Sequence, residues 1–229
     1  MNVRETFSQT KRLTTAEEVF HKLHSDIISM ELKPGAKLSE VEVAKQFNVS
    51  RQPVREAFMR LGDLNLLQIR PQKATLVRKI STESLKNTRF LRAAVEVEVV
   101  RRACEVSTEE SLINLRTNIE LQKLAVAALD ASRLHELDYE FHRLICIAGD
   151  CIPAFKTIAE NKTHTDRVCS LELSDAAGME EVLEGHADIV SAIAAKDEVL
   201  AVQATRHHLA HLDDTLISVR KNHADYFED

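Results

Sequence analysis

Residues typical of large β structures are scarce in this sequence. It has no Trp, two Tyr, five Gly and four Pro among 229 residues. Large sheets and barrels use β-forming aromatic residues and many Gly- and Pro-containing turns, so this scarcity argues against both. Ala, Leu, Glu, Lys and Arg, which favour helices, are abundant instead. The composition therefore predicts a mainly α fold.

The sequence also lacks the patterns of a membrane or secreted protein. It has no apolar run of about 18 residues, the length needed to cross a membrane. The N-terminal stretch MNVRETFSQTKRLTT lacks the apolar core of a secretory signal, so we expect a cytoplasmic protein without membrane contact. The four Cys, at positions 104, 146, 151 and 169, form no CxxC pair and lie in apolar helical patterns. They indicate reduced core thiols rather than disulfides or a zinc knuckle.

Charge is distributed unevenly along the chain. Residues 1–79 contain 14 Lys and Arg against 9 Asp and Glu, which gives a net charge of +5. Residues 80–229 contain 16 against 27, which gives −11. A basic first third beside an acidic remainder indicates that only the first third contacts a polyanion.

The basic third has the pattern of a winged helix-turn-helix. Apolar residues recur at helical spacing from Thr15 to Met30, and a Pro-Gly pair follows. Ser39 is the expected N-cap of a short second helix, and Ser50 that of a third, with Pro53 harmless in its first turn. The β-forming segments LLQIR and TLVRKI flank the turn PQKA and predict a hairpin.

Two arginines mark the third helix as a recognition helix. In a winged helix-turn-helix, the N-terminal end of this helix enters the DNA major groove. Arg51 and Arg55 lie one turn apart on its exposed side, where an Arg can bind guanine O6 and N7 or pair with phosphates. An ordinary solvated helix face is the alternative. Gln52 between the arginines and Lys73 at the hairpin tip favour DNA contact.

The segment from Leu32 to Val77 resembles the DNA-binding domain of the GntR family of bacterial transcription regulators. The resemblance places four residues in the recognition helix and two at the wing tip, which reaches the minor groove or the DNA backbone. These residues are Ser50, Arg51, Gln52 and Arg55, then Gln72 and Lys73. Val41 stands where members similar to the fatty-acid-responsive regulator carry Arg. One DNA contact of those members is therefore missing, and their operator sequence does not transfer.

The remainder of the chain reads as a second, helical domain. We expect a winged helix-turn-helix domain over residues 1–80 and an all-α domain of about six helices over residues 81–229. Breaks between the helical patterns fall near residues 106–107, 130, 149–150, 174–178 and 196–197.

Four residues of this domain form a candidate metal site. Asp138 and His142 lie one turn apart in LDYEFHRLI and share a helix face. His186 lies in LEGHADIVSAI and His208 in ATRHHLAHL, on two further helices. One carboxylate and three imidazoles can hold a divalent ion and leave coordination positions open. A surface hydrogen-bonded Asp–His pair is the alternative.

The segments LRAAVE, DYEFHRLI, HADIVSAIAAKD and RHHL resemble the FCD effector-binding domain of the FadR-like subfamily of GntR regulators. The resemblance implies that Asp138, His142, His186 and His208 are the ligands of a divalent metal, with Zn favoured and Ni or Mn as alternatives. His135, on the Asp138 face, and the pair formed by His207 and His211 remain competing histidines.

Arg92 and Glu96 lie in FLRAAVEVEVV among residues expected to face the core, where an internal ion pair is one interpretation. The resemblance implies instead that Arg92 points into the FCD cavity and binds the carboxylate of an effector beside the metal. His164, Arg167 and Asn161 are further candidates for lining the same pocket.

The function expected from these features is that of a transcription regulator, most simply a homodimeric repressor that binds a short palindromic double-stranded DNA operator. The resemblance implies both the dimer and a small carboxylic-acid effector. Two rivals belong to other classes. One is a metal sensor in which the ion itself is the signal. The other, a metal-dependent enzyme, is disfavoured because only Glu140 and Glu184 are possible bases near the metal set, and because an enzyme does not need a basic winged domain.

Overall fold

The computed structural model describes residues 13–70, 73–172 and 176–228, without the side chains at 172, 211–215 and 218. The first part is a winged helix-turn-helix. Its elements are α1 (Thr15–Ile28), β1 (Lys37–Leu38), α2 (Glu40–Gln46), α3 (Arg51–Asp63), β2 (Leu67–Gln68) and β3 (Thr75–Val77). The three strands form an antiparallel sheet in the order β1-β3-β2.

The three helices of this part form where capping and apolar spacing predict them. Thr14 and Glu17 form a capping box at the start of α1, since each side chain accepts a hydrogen bond from the backbone N–H of the other. The helix ends at Ile28, two residues before the predicted end, because Met30 takes a left-handed φ of 65°. Ser50 occupies the N-cap position of α3, but among the described residues its side chain makes no cap hydrogen bond.

The hairpin of β2 and β3 confirms the predicted wing, whereas β1 was not predicted. Its two residues pair with Leu76 and Thr75 of β3, which lie almost 40 positions away in the sequence. A strand this short has no periodicity of its own. Pairing with a distant partner therefore decides its conformation.

Six helices follow in the described part of the second domain, and they confirm the expected mainly α fold. They are α4 (Thr82–Val106), α5 (Glu109–Ala127), α6 (Ala131–Ala148), α7 (Ala154–Glu172), α8 (Ala176–Ala194) and α9 (Glu198–Asn222). Their main core contains Val100, Leu115, Phe141, Ile189 and Ile193, each almost fully buried. Within the described ranges, no helix is both long and apolar enough to cross a membrane.

The linker between the two parts, residues 78–81, is held by a small parallel sheet. Its strand β4 (Ile80–Ser81) pairs with β5 (Phe227–Glu228), which follows α9 and a 3₁₀ turn at Ala224–Tyr226. Ile80 and Phe227 are buried in a cluster with Leu85, Val168 and other residues of the helical domain. The linker is therefore packed against the helical domain.

Candidate functional site

The N-terminal end of α3 presents the expected recognition residues to solvent. Ser50, Gln52 and both arginines are exposed, and the side chains of Arg51 and Arg55 keep 58% and 50% of their accessible surface. The opposite face of α3 is buried through Val54, Ala57, Phe58 and Leu61. This arrangement leaves the arginines available to a groove of DNA.

Both arginines share one carboxylate at the start of α2. Arg51 Nη2 donates to Glu40 Oε2 at 2.8 Å, and Arg55 donates to the same carboxylate through Nε at 3.3 Å and Nη2 at 3.1 Å. Hydrogen bonds from Arg55 and Arg51 lower the pKa of Glu40, so it is ionised at neutral pH. Exposed ion pairs contribute only about 0–1 kcal/mol, so DNA can replace Glu40 as their partner. The sequence did not predict this shared ion pair, because its partners lie on two different helices.

The wing supplies a further exposed cation. Lys73 is exposed beside a turn that Arg70 closes by donating twice to the Ala74 carbonyl, at 3.1 and 3.3 Å. Gln72, the other predicted wing-tip residue, lies outside the described residues. Val41, the departure from the fatty-acid-responsive pattern, is 57% exposed on α2.

The four predicted metal ligands meet inside the helical domain. Asp138 and His142 come from α6, His186 from α8 and His208 from α9, and one ligand atom of each lies within 4.8 Å of the other three. Asp138, His142 and His186 are buried, and His208 is half-buried. The surface Asp–His pair considered from the sequence is therefore excluded for Asp138 and His142.

The two ring nitrogens of His186 differ in their partners. Its Nδ1 lies 2.8 Å from Gln122 Oε1, which makes Nδ1 the donor, while buried Nε2 has no hydrogen-bond partner among the described residues and lies 3.3 Å from Asp138 Oδ1. Burial lowers the pKa of His186 to about 4, so the ring is neutral at neutral pH. A buried neutral nitrogen lone pair facing a carboxylate oxygen is typical of a metal ligand.

His142 is oriented by a second carboxylate. Its Nδ1 lies 2.7 Å from Glu96 Oε2, and its Nε2 lies 3.5 Å from Asp138 Oδ1 and 3.4 Å from Arg92 Nη2. Burial lowers the pKa of His142, but the charge of Glu96 and hydrogen bonds with Asp138 and Glu96 outweigh it and raise this pKa above its usual value. The Glu96–His142 pair has the form of a carboxylate–histidine unit that directs Nε2 toward a metal.

The donor set fits a divalent ion. Bonds of about 2.0–2.1 Å in a tetrahedral site place ligand atoms roughly 3.3–3.4 Å apart, close to the separations of Asp138 Oδ1 from His186 and His142. Three imidazole nitrogens and one carboxylate oxygen suit Zn, and also Ni or Mn. Burial lowers the pKa of His208 well below its usual value, which keeps this ring ready to coordinate.

A buried lysine that sequence reasoning missed completes the site. Lys162 Nζ contacts Asp138 Oδ2 and lies 2.5 Å from Asp166 Oδ1. Burial lowers the pKa of Lys162, but the charges of Asp138 and Asp166 outweigh it and raise this pKa. Asp138 thus has one oxygen paired with an ammonium and the other facing the histidines. Lys162 and Asp166 are spaced i, i+4 in NKTHTD, a signal that looks like an ordinary surface pair.

His135 and His207, two of the competing histidines, lie outside the donor set. His135 Nε2 lies 3.7 Å from Asp166 Oδ2, and His135, Asp138 and Asp166 form a second acidic group. The Lys162 ammonium already lies between those two carboxylates. His207 is exposed, and the side chain of its predicted partner at position 211 is outside the described part.

Arg92 is buried beside the four donors, as expected for an effector ligand, but its guanidinium already has partners. It donates to Glu96 Oε1 at 2.7 Å and to Thr165 Oγ1 at 3.2 Å, as in the internal ion pair considered from the sequence. A cavity of about 10 Å³ lies on the other side of Glu96 and His142, between Thr205 and apolar residues. That space is about the size of one water molecule, so this cavity does not accommodate an acid.

The other predicted effector residues do not join Arg92. His164 and Arg167 line a separate cavity of about 230 Å³ with Arg78 and Glu228. Helical geometry explains this separation, because successive residues of an α-helix are about 100° apart around its axis. His164 follows Lys162 by two residues and Arg167 follows Thr165 by two, so the two pairs lie on opposite faces of α7. Asn161 donates to the Thr157 carbonyl of its own helix at 2.8 Å.

A winged helix-turn-helix joined to an all-α helical domain is the architecture of a class of DNA-binding transcription regulators. The chain belongs to the GntR family. The model for bacterial regulatory proteins of the gntR family matches residues 15–77, and the FCD domain model matches residues 88–211.

Similar proteins share this organisation over nearly their whole length. The HTH-type transcriptional repressor RspR of Escherichia coli is 36% identical over 213 residues, which cover 93% of each chain. A probable D-xylose utilization operon transcriptional repressor of Paenarthrobacter nicotinovorans is 27% identical over 90% of each chain. The solved structure of McbR/YncC from E. coli has the same fold, with a TM-score of 0.75 at 24% identity over 93% of this chain and 100% of that one. This chain is therefore a GntR-type transcription regulator that binds an operator.

Proposed function

We propose that this regulator is a homodimeric repressor whose affinity for a short palindromic operator is controlled by a small organic acid bound beside a divalent metal. The observation that carries the proposal is the buried Nε2 of His186. In the part of the chain that the structure describes, it has no hydrogen-bond partner, and it lies among the ligand atoms of Asp138, His142 and His208. An unpaired buried nitrogen is costly, and a metal ion at this position removes the cost.

Each residue of the site has a distinct role in this proposal. Asp138 and the three histidines would hold the metal, with Zn favoured and Ni or Mn as alternatives, and the ion would supply a positive centre for an anionic ligand. Glu96 and Gln122 orient the histidines through their second nitrogens. Arg92 would bind the carboxylate bidentately after exchanging Glu96 for it.

Control of DNA binding follows from differential affinity. An acid that favours a domain arrangement unable to place two recognition helices on the palindrome lowers operator affinity. A coupling of about 1–3 kcal/mol would reduce that affinity roughly 5- to 150-fold. The relative named for D-xylose utilization supports testing sugar-derived acids first.

The DNA-binding half of the proposal is tested with an operator selected from random DNA by the unmodified protein. We expect Arg51→Ala and Arg55→Ala to abolish preference for that operator over unrelated DNA, because their guanidinium groups read or anchor the site. Metal content and melting temperature should remain unchanged. Retained preference in both variants would refute the assignment of α3 as the recognition helix.

The effector half is tested by a thermal-shift screen of organic acids on metal-loaded and chelated protein. An acid at about 100 times its Kd stabilises the folded state by about 2.7 kcal/mol. The shift should require metal, disappear in Arg92→Gln and persist in Arg101→Gln, a control on the same helix whose side chain is exposed. An acid that acts equally on chelated protein would rule out binding beside the metal.

A metal sensor is the second candidate, and the existing partners of Arg92 favour it. Arg92 is bound to Glu96 and Thr165, so the centre can take an ion as it stands, whereas an acid has to displace Glu96 from Arg92. Operator affinity measured with and without metal, in the absence of any acid, separates the two candidates. A change of at least about tenfold with metal alone, about 1.4 kcal/mol, would favour the sensor.

A further inference from the structure

The cavity that contains Arg167 lies at the junction of the two domains. Asn65 and Arg78 reach it from the winged helix-turn-helix and its linker, Ser84 from α4, Arg167 from α7 and Glu228 from β5. Its volume is about 230 Å³. This is below the roughly 300–1,000 Å³ of pockets for drug-sized ligands, so it suits a small metabolite.

Two arginines that line this cavity have few hydrogen-bond partners among the described residues. Arg167 is 2% exposed, and its Nη2 donates to the Arg78 carbonyl at 2.7 Å, which fixes the guanidinium. Within the same part of the chain, Nε of Arg167 and Nε of Arg78 make no hydrogen bond, although both atoms are fully buried and do not themselves face the open cavity. Buried polar groups are normally paired, so two guanidinium groups with so few partners beside one polar cavity favour an anionic acceptor there.

The charge of the lining favours an anion. Among the described lining residues, Arg78, Lys79 and Arg167 contribute three positive charges against one carboxylate, that of Glu228. Burial lowers the pKa of Arg167 to about 10, so the guanidinium remains charged at neutral pH without a bound anion. Burial and Arg167 lower the pKa of His164, which is therefore neutral and able to donate one N–H.

We propose that this cavity, which we call the junction site, binds a small dianion such as a phosphate monoester or a dicarboxylate. The guanidinium groups of Arg78 and Arg167 and the excess of two positive charges among the described lining residues match a ligand with two anionic oxygens. Because both domains line the cavity, the bound dianion stabilises their present arrangement. The junction site is separate from the metal centre, since Lys162 and Thr165 face that centre from the other side of α7.

The test uses the full chain and two probes, inorganic phosphate and succinate, titrated by calorimetry at constant ionic strength. We expect saturable binding of at least one probe, before and after metal chelation. Lys79→Gln and Arg167→Met should weaken it about tenfold or more, the effect of one charge-assisted hydrogen bond. Lys86→Gln, an equal loss of charge at an exposed position of α4 outside the cavity, should leave it unchanged.

Each outcome decides the proposal. Binding of phosphate alone assigns a phosphate ester, and binding of succinate alone assigns a dicarboxylate. No saturable binding of either probe, an equal affinity in Lys79→Gln, or loss of binding on chelation would overturn the junction site. If Arg167→Met fails to fold, the exposed Lys79→Gln still decides the matter, because its substitution removes no core contact.

Discussion

Replacing Lys162 by Met tests the internal cation of the helical domain. The Lys162 side chain is 6% exposed, and its partners Asp138 and Asp166 are 12% and 6% exposed. Met keeps most of the side-chain volume but leaves two buried carboxylates without their cation. Removing one partner of a buried ion pair costs about 3–5 kcal/mol. We expect the metal-free variant to be destabilised by that amount.

The loss is large enough to measure by thermal unfolding. For a chain of this length, 1 kcal/mol shifts the melting temperature by about 2–4 °C, so Lys162→Met should lower it by roughly 6–20 °C. Lys156→Met is the matched control on α7. Its side chain is 83% exposed and 3.9 Å from Glu160, so its effect should stay within about 0.5 kcal/mol.

Metal addition tests how the lysine and the centre are coupled. Without Lys162, both oxygens of Asp138 are free, so a divalent ion should bind more tightly and raise the melting temperature more than in the unmodified protein. A melting temperature of chelated Lys162→Met within 2 °C of the control corresponds to a loss of stability of about 1 kcal/mol or less. That result would refute the ion-pair reasoning. A smaller metal-induced rise in the variant would refute the coupling.

Three further substitutions probe the two sites. In Gly185→Ala, the new Cβ would lie 3.1 Å from His208 Nδ1. Metal affinity measured by calorimetry should therefore fall, while the chelated protein keeps its stability. An affinity equal to that of the unmodified protein would show that His208 tolerates the contact. Glu40→Gln should raise the affinity for unrelated DNA at low salt, because the carboxylate no longer competes with DNA phosphates for Arg55. Fluorescence anisotropy titrations measure this affinity, and an unchanged value would contradict the prediction. His142→Ala should remove bound metal, and full metal content by elemental analysis would exclude His142 as a ligand.

Local patterns predict the helices better than the sites. Val54, Phe58 and Leu61 repeat at helical spacing, so α3 and its buried face follow from the sequence alone. The role of Lys162 depends instead on the meeting of α6 and α7, which no local pattern records.

The effector assignment failed in part for a similar reason. His164 and Arg167 stand two residues from Lys162 and Thr165, and without the orientation of α7 the sequence does not tell which pair faces the metal centre. Spacing placed Asp138 and His142 on one helix face, whereas His186 and His208 were added through donor chemistry and the family resemblance, since two further helices supply them.

Helix α9 is a continuous helix between the proposed metal centre and the linker. It carries His208, ends at Asn222 and leads through one turn to β5, which pairs with linker strand β4. About 21 Å of helix separates His208 from that end. A rotation or axial shift of the helix at His208 therefore moves the strand that holds the linker. The four clustered donors and the linker are in this way connected through continuous backbone, a mechanical coupling that does not depend on the side chains packed between the two domains.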